Sequence, residues 1–152
     1  MNFKGTQVAL DMYNCLEEII RDTKKVEAIL LAATAHFKMD VVNTFFYPNP
    51  ETDDYTFIVI CKNGNVDMHI FPELGYAAAD IFTAEDTANP EQLAIYIRKE
   101  FAPDKSKLTM LNRGDFGAIN DMKPRRRKQM RPITRAKSAL KKLVTVPKNK
   151  KS

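Results

Sequence analysis

The chain lacks several features that would mark particular classes of protein. Its 152 residues include two cysteines, Cys15 and Cys61, which are too few for a disulfide framework and indicate a reducing environment. The longest apolar run, residues 29–35, is far too short to cross a bilayer, and the N-terminus has no signal-peptide pattern. Glycine-rich phosphate loops and metal-type cysteine or histidine spacings are also missing. These absences predict a soluble intracellular protein with no metal site and no membrane partner.

Acidic residues are absent from residues 123–152, where 13 of the 24 lysines and arginines lie. The other 11 accompany all 19 acidic residues, so residues 1–122 have a formal charge of −8. The overall charge of +5 therefore hides an acidic region followed by a basic one. Since 44% of the chain is hydrophobic, the acidic region is long enough for one ordinary domain. We expect a domain over residues 1–122 and a basic tail over residues 123–152.

Hydrophobic periodicity predicts both helices and strands in the acidic region. Apolar residues at helical spacing predict a helix over residues 15–36, which Asn14 and Glu17 would begin as a capping box. The dipeptide Asn89-Pro90 predicts the start of a second helix. Alternating or continuous apolar runs predict strands over residues 6–13, 39–47, 55–62, 65–71, 76–83 and 107–112.

A tight turn organises the middle of the chain. Asn63-Gly64 accepts the positive φ of a type I′ turn and so predicts a hairpin. The predicted order, strand, helix, three strands, helix and strand, indicates an α+β fold with two helices on one face of an antiparallel sheet. Neighbouring strand residues such as Phe57 and Ile58 point to opposite faces of the sheet, and both are apolar. We therefore expect a second copy to cover the face opposite the helices. A homo-oligomer is therefore predicted.

One segment carries a family resemblance. Residues 68–77 read Met-His-Ile-Phe-Pro-Glu-Leu-Gly-Tyr-Ala, and residues 80–83 read Asp-Ile-Phe-Thr. In order and spacing they resemble the active-site segment of the prokaryotic-type S-adenosylmethionine decarboxylases, where Glu-Ser-His-x-x-Ile-His-x-x-Pro-Glu-x-Gly-Tyr-Ala precedes Asp-x-x-Thr-Cys. The resemblance covers residues 3–120. It implies the fold of that family, in which two protomers pack sheet to sheet and form active sites between them.

The chain departs from the family pattern at reactive positions. In the family the chain cuts itself between Glu and Ser, and the Ser becomes a pyruvoyl group that serves as the electron sink. Asn63 and Gly64 stand at those positions, and Ala84 replaces the cysteine proton donor. These changes predict no pyruvoyl cofactor and no catalytic residues. The degenerate site would comprise Asn63, Gly64, Asn65, His69, Glu73 and Ala84.

Two interpretations of the retained residues remain open. His69, with Asp67 on the same strand face and Glu73 nearby, is either a surviving part of a substrate pocket or an inherited set of polar surface residues.

The basic tail divides into two parts. Residues 123–128 are too charged to fold alone and indicate an extended arm. Pro132 suits a helix start, and an apolar stripe through the following turns predicts a basic amphipathic helix over residues 132–146. Nucleic acid would contact the charges without reading sequence, whereas a protein groove would take the stripe. The predicted binding residues are Arg125, Arg126, Arg127, Lys128, Arg131, Arg135, Leu140 and Leu143.

These observations favour a pseudoenzyme, an inactive S-adenosylmethionine decarboxylase-like protein reused as an oligomeric structural or binding component. Its expected location is the cytoplasm or a virion or nucleoprotein assembly, where the basic tail docks it and contacts nucleic acid non-specifically. The alternative is an enzyme: the S-adenosylmethionine decarboxylase of polyamine (spermidine) biosynthesis, or an activating subunit of one.

Overall fold

The computed structural model describes residues 4–84 and 88–114. These residues form one antiparallel sheet in the order β2-β3-β4-β5-β1-β6, with the helices on one face. The predicted α+β two-layer fold is confirmed. The elements are β1 (Gly5–Tyr13), α1 (Glu17–Ile20), α2 (Thr23–His36), β2 (Val41–Pro48), β3 (Tyr55–Cys61), β4 (Gly64–Phe71), β5 (Tyr76–Thr83), α3 (Pro90–Phe101) and β6 (Lys105–Arg113).

The predicted order of elements has one strand too few, although all six strand positions were predicted. Four strands, not three, lie between the second and third helices. The bounds of β5 agree with the prediction, and those of the other strands lie within about two residues of it, the usual uncertainty of element ends. The predicted boundary at residue 122 and the helix over residues 132–146 lie outside the described residues and stay predictions.

Strand alternation separates a buried face from an outer one. Every second residue of β1, β3, β4 and β5 is buried beneath the helices, and each helix contributes apolar side chains to the same core. The strand side of this core comprises Val8, Leu10, Met12, Tyr55, Phe57, Val59, Val66, Met68, Ile70, Ala77, Ala79 and Ile81. The helix side includes Ile20, Val26, Leu30, Leu93, Ile97 and Phe101.

The predicted single helix over residues 15–36 is two helices. Asp22 interrupts it, because its side chain accepts hydrogen bonds from the backbone amides of Lys24 and Lys25, at 3.1 and 3.2 Å, and so caps α2. The predicted capping box at Asn14 does not form. Asn14 has a positive φ of 54°, and its side chain donates to the carboxylate of Asp104.

The predicted start of α3 is confirmed. The Asn89 side chain accepts a hydrogen bond from the Gln92 amide at 3.1 Å, and Pro90 occupies the first helical turn.

The hairpin between β3 and β4 is present, but its turn lies one residue earlier than predicted. Cys61 pairs with Gly64, so the two turn residues are Lys62 and Asn63, and none of these has a positive φ. The prediction of a type I′ turn at Asn63-Gly64 is therefore wrong. Position 64 requires glycine because the neighbouring strand lies too close for a side chain, not because of its backbone φ. A Cβ there would lie 1.9 Å from the carbonyl oxygen of Phe82 on β5.

We predict that Gly64→Ala lowers the free energy of unfolding by about 1–3 kcal/mol, because β4 must move away from the Phe82 carbonyl. Urea denaturation measures the change. Lys62→Ala in the neighbouring turn is the control, since it removes only an exposed ion pair with Asp40 and should change stability by less than about 0.5 kcal/mol. Equal effects of the two substitutions would contradict the close-approach explanation.

Candidate functional site

The outer face of the sheet is the face opposite the helices. It has a polar centre on β4, β5 and β1, with apolar side chains on the β3 side. Its residues on these four strands are Gln7, Ala9, Asp11, Tyr13, Thr56, Ile58, Ile60, Asn65, Asp67, His69, Phe71, Tyr76, Ala78, Asp80 and Phe82.

His69 is held by a neighbour that the sequence did not single out. Thr56 on β3 lies directly opposite it, and the Thr56 hydroxyl is 3.1 Å from His69 Nδ1. This hydrogen bond orients an otherwise exposed imidazole, and Nε2 has no hydrogen-bond partner within the part of the chain that the structure describes. The pair can therefore present one ring nitrogen in a defined direction, which is what a proton-transfer group needs.

Two carboxylates face each other in the middle of the outer face. Asp67 on β4 lies opposite Asp80 on β5. Asn65 donates to one oxygen of Asp67 at 3.1 Å, while the other oxygen is buried without a hydrogen-bond partner among the described residues. Like charges directly across a sheet are destabilising. Both carboxylates line a shallow pocket of about 190 Å³ together with Gln7 and Arg113, so two negative charges there face one positive charge.

Aromatic rings cover one end of the face. Tyr76 stacks on Tyr13 and on Phe71, with ring centroids 5.3 and 5.6 Å apart. The Tyr76 hydroxyl donates to Asp11 Oδ1 at 2.5 Å, and this hydrogen bond is the main reason that the pKa of Tyr76 is raised to about 12. The phenol therefore stays protonated to a higher pH than an ordinary tyrosine and keeps its hydrogen bond to the carboxylate.

The opposite end of β4 and β5 contains three of the predicted degenerate positions. Asn63 is buried, its side chain donates to the Lys38 carbonyl at 3.2 Å, and its carbonyl accepts from the Ala84 amide at 2.8 Å. Gly64 lies between them against Phe82. Asn63, Gly64 and Ala84 therefore form one cluster, which lies several residues along the strand from His69.

Glu73 lies apart from both groups. Its exposed carboxylate accepts a hydrogen bond from Arg21 at 3.0 Å, and Arg21 also pairs with Glu17 on α1. The structure therefore brings Asn65 and His69 onto the outer face but gives Glu73 an ion pair with the helical layer. The eight predicted binding residues of the tail lie outside the described residues.

Neither cysteine lies where it could take the proton-donor role that the resemblance assigns to position 84. The side chains of Cys15 and Cys61 belong to the buried core, not to the outer face. Burial raises the pKa of both thiols, that of Cys15 to about 11, so both stay protonated and unreactive near neutral pH.

Comparison with known proteins decides the family. A sequence model described as S-adenosylmethionine decarboxylase matches residues 6–114. The chain belongs to that family. The S-adenosylmethionine decarboxylase proenzyme of Syntrophomonas wolfei is 30% identical over 75% of this chain and 90% of its own length. That of Carboxydothermus hydrogenoformans is 31% identical over 66% and 79%.

Solved structures support the fold. The adenosylmethionine decarboxylase of Aquifex aeolicus superposes with a TM-score of 0.67 at 20% identity, covering 74% of this chain and 92% of that one. This fold is consistent with the predicted homo-oligomer. Within residues 4–84 and 88–114, no helix is long and apolar enough to span a membrane.

These relatives overturn the predicted function. The prediction of a pseudoenzyme serving as a structural or virion component is wrong, because the curated relatives are named as decarboxylase proenzymes. The prediction that the protein is not an enzyme is wrong for the same reason. The prediction of no pyruvoyl cofactor conflicts with a family whose proenzymes form that group by self-cleavage. Nothing in the comparisons supports the assembly or nucleic-acid partners predicted for the tail.

Residue 64 itself does not fit the role of the precursor serine. Gly64 has no hydroxyl to attack the preceding carbonyl, and the nearby Phe82 carbonyl oxygen leaves no room for a side chain on it. The part of the site that the chain does supply is the outer face, with the Thr56–His69 pair, the acidic pair and the aromatic end.

We predict that Asp11→Asn lowers the pKa of Tyr76 toward the ordinary tyrosine value of about 10, because the carboxylate that accepts the hydroxyl hydrogen is lost. The raised folded-state pKa contributes stability that is fully present below about pH 10 and is lost as pH rises toward 12. Spectrophotometric tyrosine titration and urea unfolding across this range measure both effects. Asp80→Asn, which acts on Tyr76 only through its charge, should shift the pKa less, and the reverse ranking would contradict the assignment.

Proposed function

We propose that this protein acts in the decarboxylation of S-adenosylmethionine in polyamine biosynthesis. The observation that carries the proposal is the family match over residues 6–114, which spans the whole described sheet, together with relatives named for that reaction. The chemistry of the outer face supports it. S-adenosylmethionine carries a sulfonium cation, an ammonium group and an adenine ring, so a complementary surface needs carboxylates and aromatic rings.

The outer face offers both kinds of group. Asp67 and Asp80 supply negative charge at its centre, which favours the sulfonium or ammonium group. The Tyr13–Tyr76 stack supplies an exposed ring at one end. Between them the Thr56–His69 pair holds an imidazole nitrogen toward solvent. In this proposal His69 moves or holds a proton at Nε2, and Thr56 positions it.

A single copy does not bring all of these groups together. His69 is five residues along β4 from Gly64, which corresponds to roughly 16 Å at the rise of an extended strand. Groups so far apart cannot act on one bond. A second copy packed on the outer face in the opposite direction would place its Thr56–His69 pair near the Asn63–Ala84 end of the first. We therefore propose that the oligomer packs sheet to sheet and completes the site between copies.

A second candidate function follows from residue 64. Because the Thr56–His69 pair would serve the neighbouring copy, this chain can complete the site of a related decarboxylase chain that carries a serine where Gly64 stands. It would then act as an activating subunit of a mixed decarboxylase. The His69 imidazole would hold or move a proton in both candidate functions.

The decarboxylation assay uses carboxyl-labelled S-adenosylmethionine and measures released carbon dioxide. The first candidate predicts release by the purified full chain alone. The second predicts that the chain raises release by a serine-containing relative, such as the Syntrophomonas wolfei proenzyme, above that of the relative alone. His69→Gln should lower turnover about 10²–10⁴-fold, the usual value of a positioned acid or base. Glu73→Gln is the control and should retain activity, since Glu73 pairs with Arg21. No release alone and no stimulation in the mixture would sink both candidates.

Sheet-to-sheet packing has a separate test. Ile58 is an apolar outer-face residue, 37% exposed in the single copy. Burying a carboxylate there without a partner costs several kcal/mol, so Ile58→Asp should separate the copies. Sedimentation velocity measures the result, with Lys99→Asp, on the exposed side of α3, as the control. An unchanged sedimentation coefficient for Ile58→Asp would refute this packing.

A further inference from the structure

The two edges of the sheet differ in a way that the proposed site does not require. β2 forms one edge and β6 the other. An exposed edge strand offers unpaired backbone groups to another strand, and proteins usually block it with charged residues. β6 has Lys105, Lys107 and Arg113 along nine residues. β2, with the sequence Val-Val-Asn-Thr-Phe-Phe-Tyr-Pro, has no charged residue.

Large apolar side chains are exposed along β2, between a register irregularity near its start and Pro48 at its end. Val42, Phe45, Phe46 and Tyr47 are between 46% and 62% exposed. They project to both faces of the sheet, because neighbouring strand residues point in opposite directions. Packing on the outer face alone would therefore not cover them. A partner strand alongside β2 would contact both sets at once.

We propose that β2 pairs edge to edge with β2 of a second copy, antiparallel about a twofold axis, so that two sheets join into one. Two copies that pair through β2 form a closed dimer, whereas pairing β2 of one copy with β6 of the next would continue into a filament. Self-pairing of β6 about its middle residue, Thr109, would set Lys105 opposite Arg113, an unfavourable like-charge contact. Of the two edges, β2 alone pairs with itself without such a conflict.

Charge at the two ends of β2 supports the antiparallel direction. Lys38 lies near its start together with the Lys62–Asp40 ion pair, so this end has a net positive charge. Glu51, Asp53 and Asp54 follow its end, where the Asn49 amide donates to the Asp54 carbonyl. An antiparallel pair sets the basic start of one strand beside the acidic end of the other. This complementarity occurs twice, once on each side of the axis.

Thr44→Lys tests the edge contact. Thr44 is near the centre of β2 and points to the helix side, so the substitution places two like charges near the axis without touching the outer face. We expect the dissociation constant of this contact to rise by at least about tenfold in sedimentation equilibrium of the full chain. Asn112→Lys, at a helix-side position of β6, is the matched control and should have no effect. Equal weakening by both variants, or by neither, would overturn the proposal.

A charge swap distinguishes contact from general destabilisation. Lys38→Glu should weaken the same association, and adding Asp54→Lys should restore it, because the pair meets across the interface only in the antiparallel arrangement. Absence of rescue would overturn that arrangement. The result is independent of the proposed function, since Ile58→Asp reports on the outer face and Thr44→Lys on the edge. With both contacts present, we expect a tetramer that either substitution reduces to a dimer.

Discussion

The register between β4 and β5 is the constraint on which the other features of the outer face depend. It runs from Gly64 opposite Thr83 to Phe71 opposite Tyr76, with no interruption. A shift by one residue would turn Asp67 and His69 into the core and expose Met68, so the register decides which residues can meet a ligand. Two glycines set its limits. Gly64 allows the close approach at one end, and Gly75, with a φ of 59°, closes the connection at the other.

That register also separates the reactive groups into two ends. The Asn63–Ala84 cluster lies at the turn between β3 and β4, whereas the Thr56–His69 pair lies toward the aromatic end. Strands are rigid and extended, so no side-chain rotation closes a gap of roughly 16 Å. In this proposal, two copies must therefore associate before the groups at the two ends can act on one substrate. The separation also explains how a chain with glycine at position 64 can still supply a useful group to another copy or to a related chain.

The fold was largely predictable from sequence because alternation in β1, β3, β4 and β5 is regular and each strand buries one face. Two local errors had the same cause, a competing signal of similar strength. Asp22 caps a new helix inside an apolar pattern that continues across it, and Lys62-Asn63 forms the turn next to a dipeptide with a stronger turn preference. Because the turn was predicted one residue too late, the sequence did not indicate Thr56 as the neighbour of His69. A loop over Asn63-Gly64 would pair His69 with Ile58, whereas the observed loop pairs it with Thr56.

Function was harder to predict than fold, and the outer face shows why. Because position 64 has no serine and position 84 has no cysteine, the sequence suggested an inactive protein that retains only the enzyme's fold. A face kept only for stability, however, would not place Asp67 opposite Asp80 or hold an exposed imidazole with a threonine. Nor would it leave a buried carboxylate oxygen with no hydrogen-bond partner among the described residues. Each of these features costs stability or contributes little to it. Such conflicts between local stability and sequence are expected where a surface binds a ligand, and here they coincide with the face on which the site is proposed.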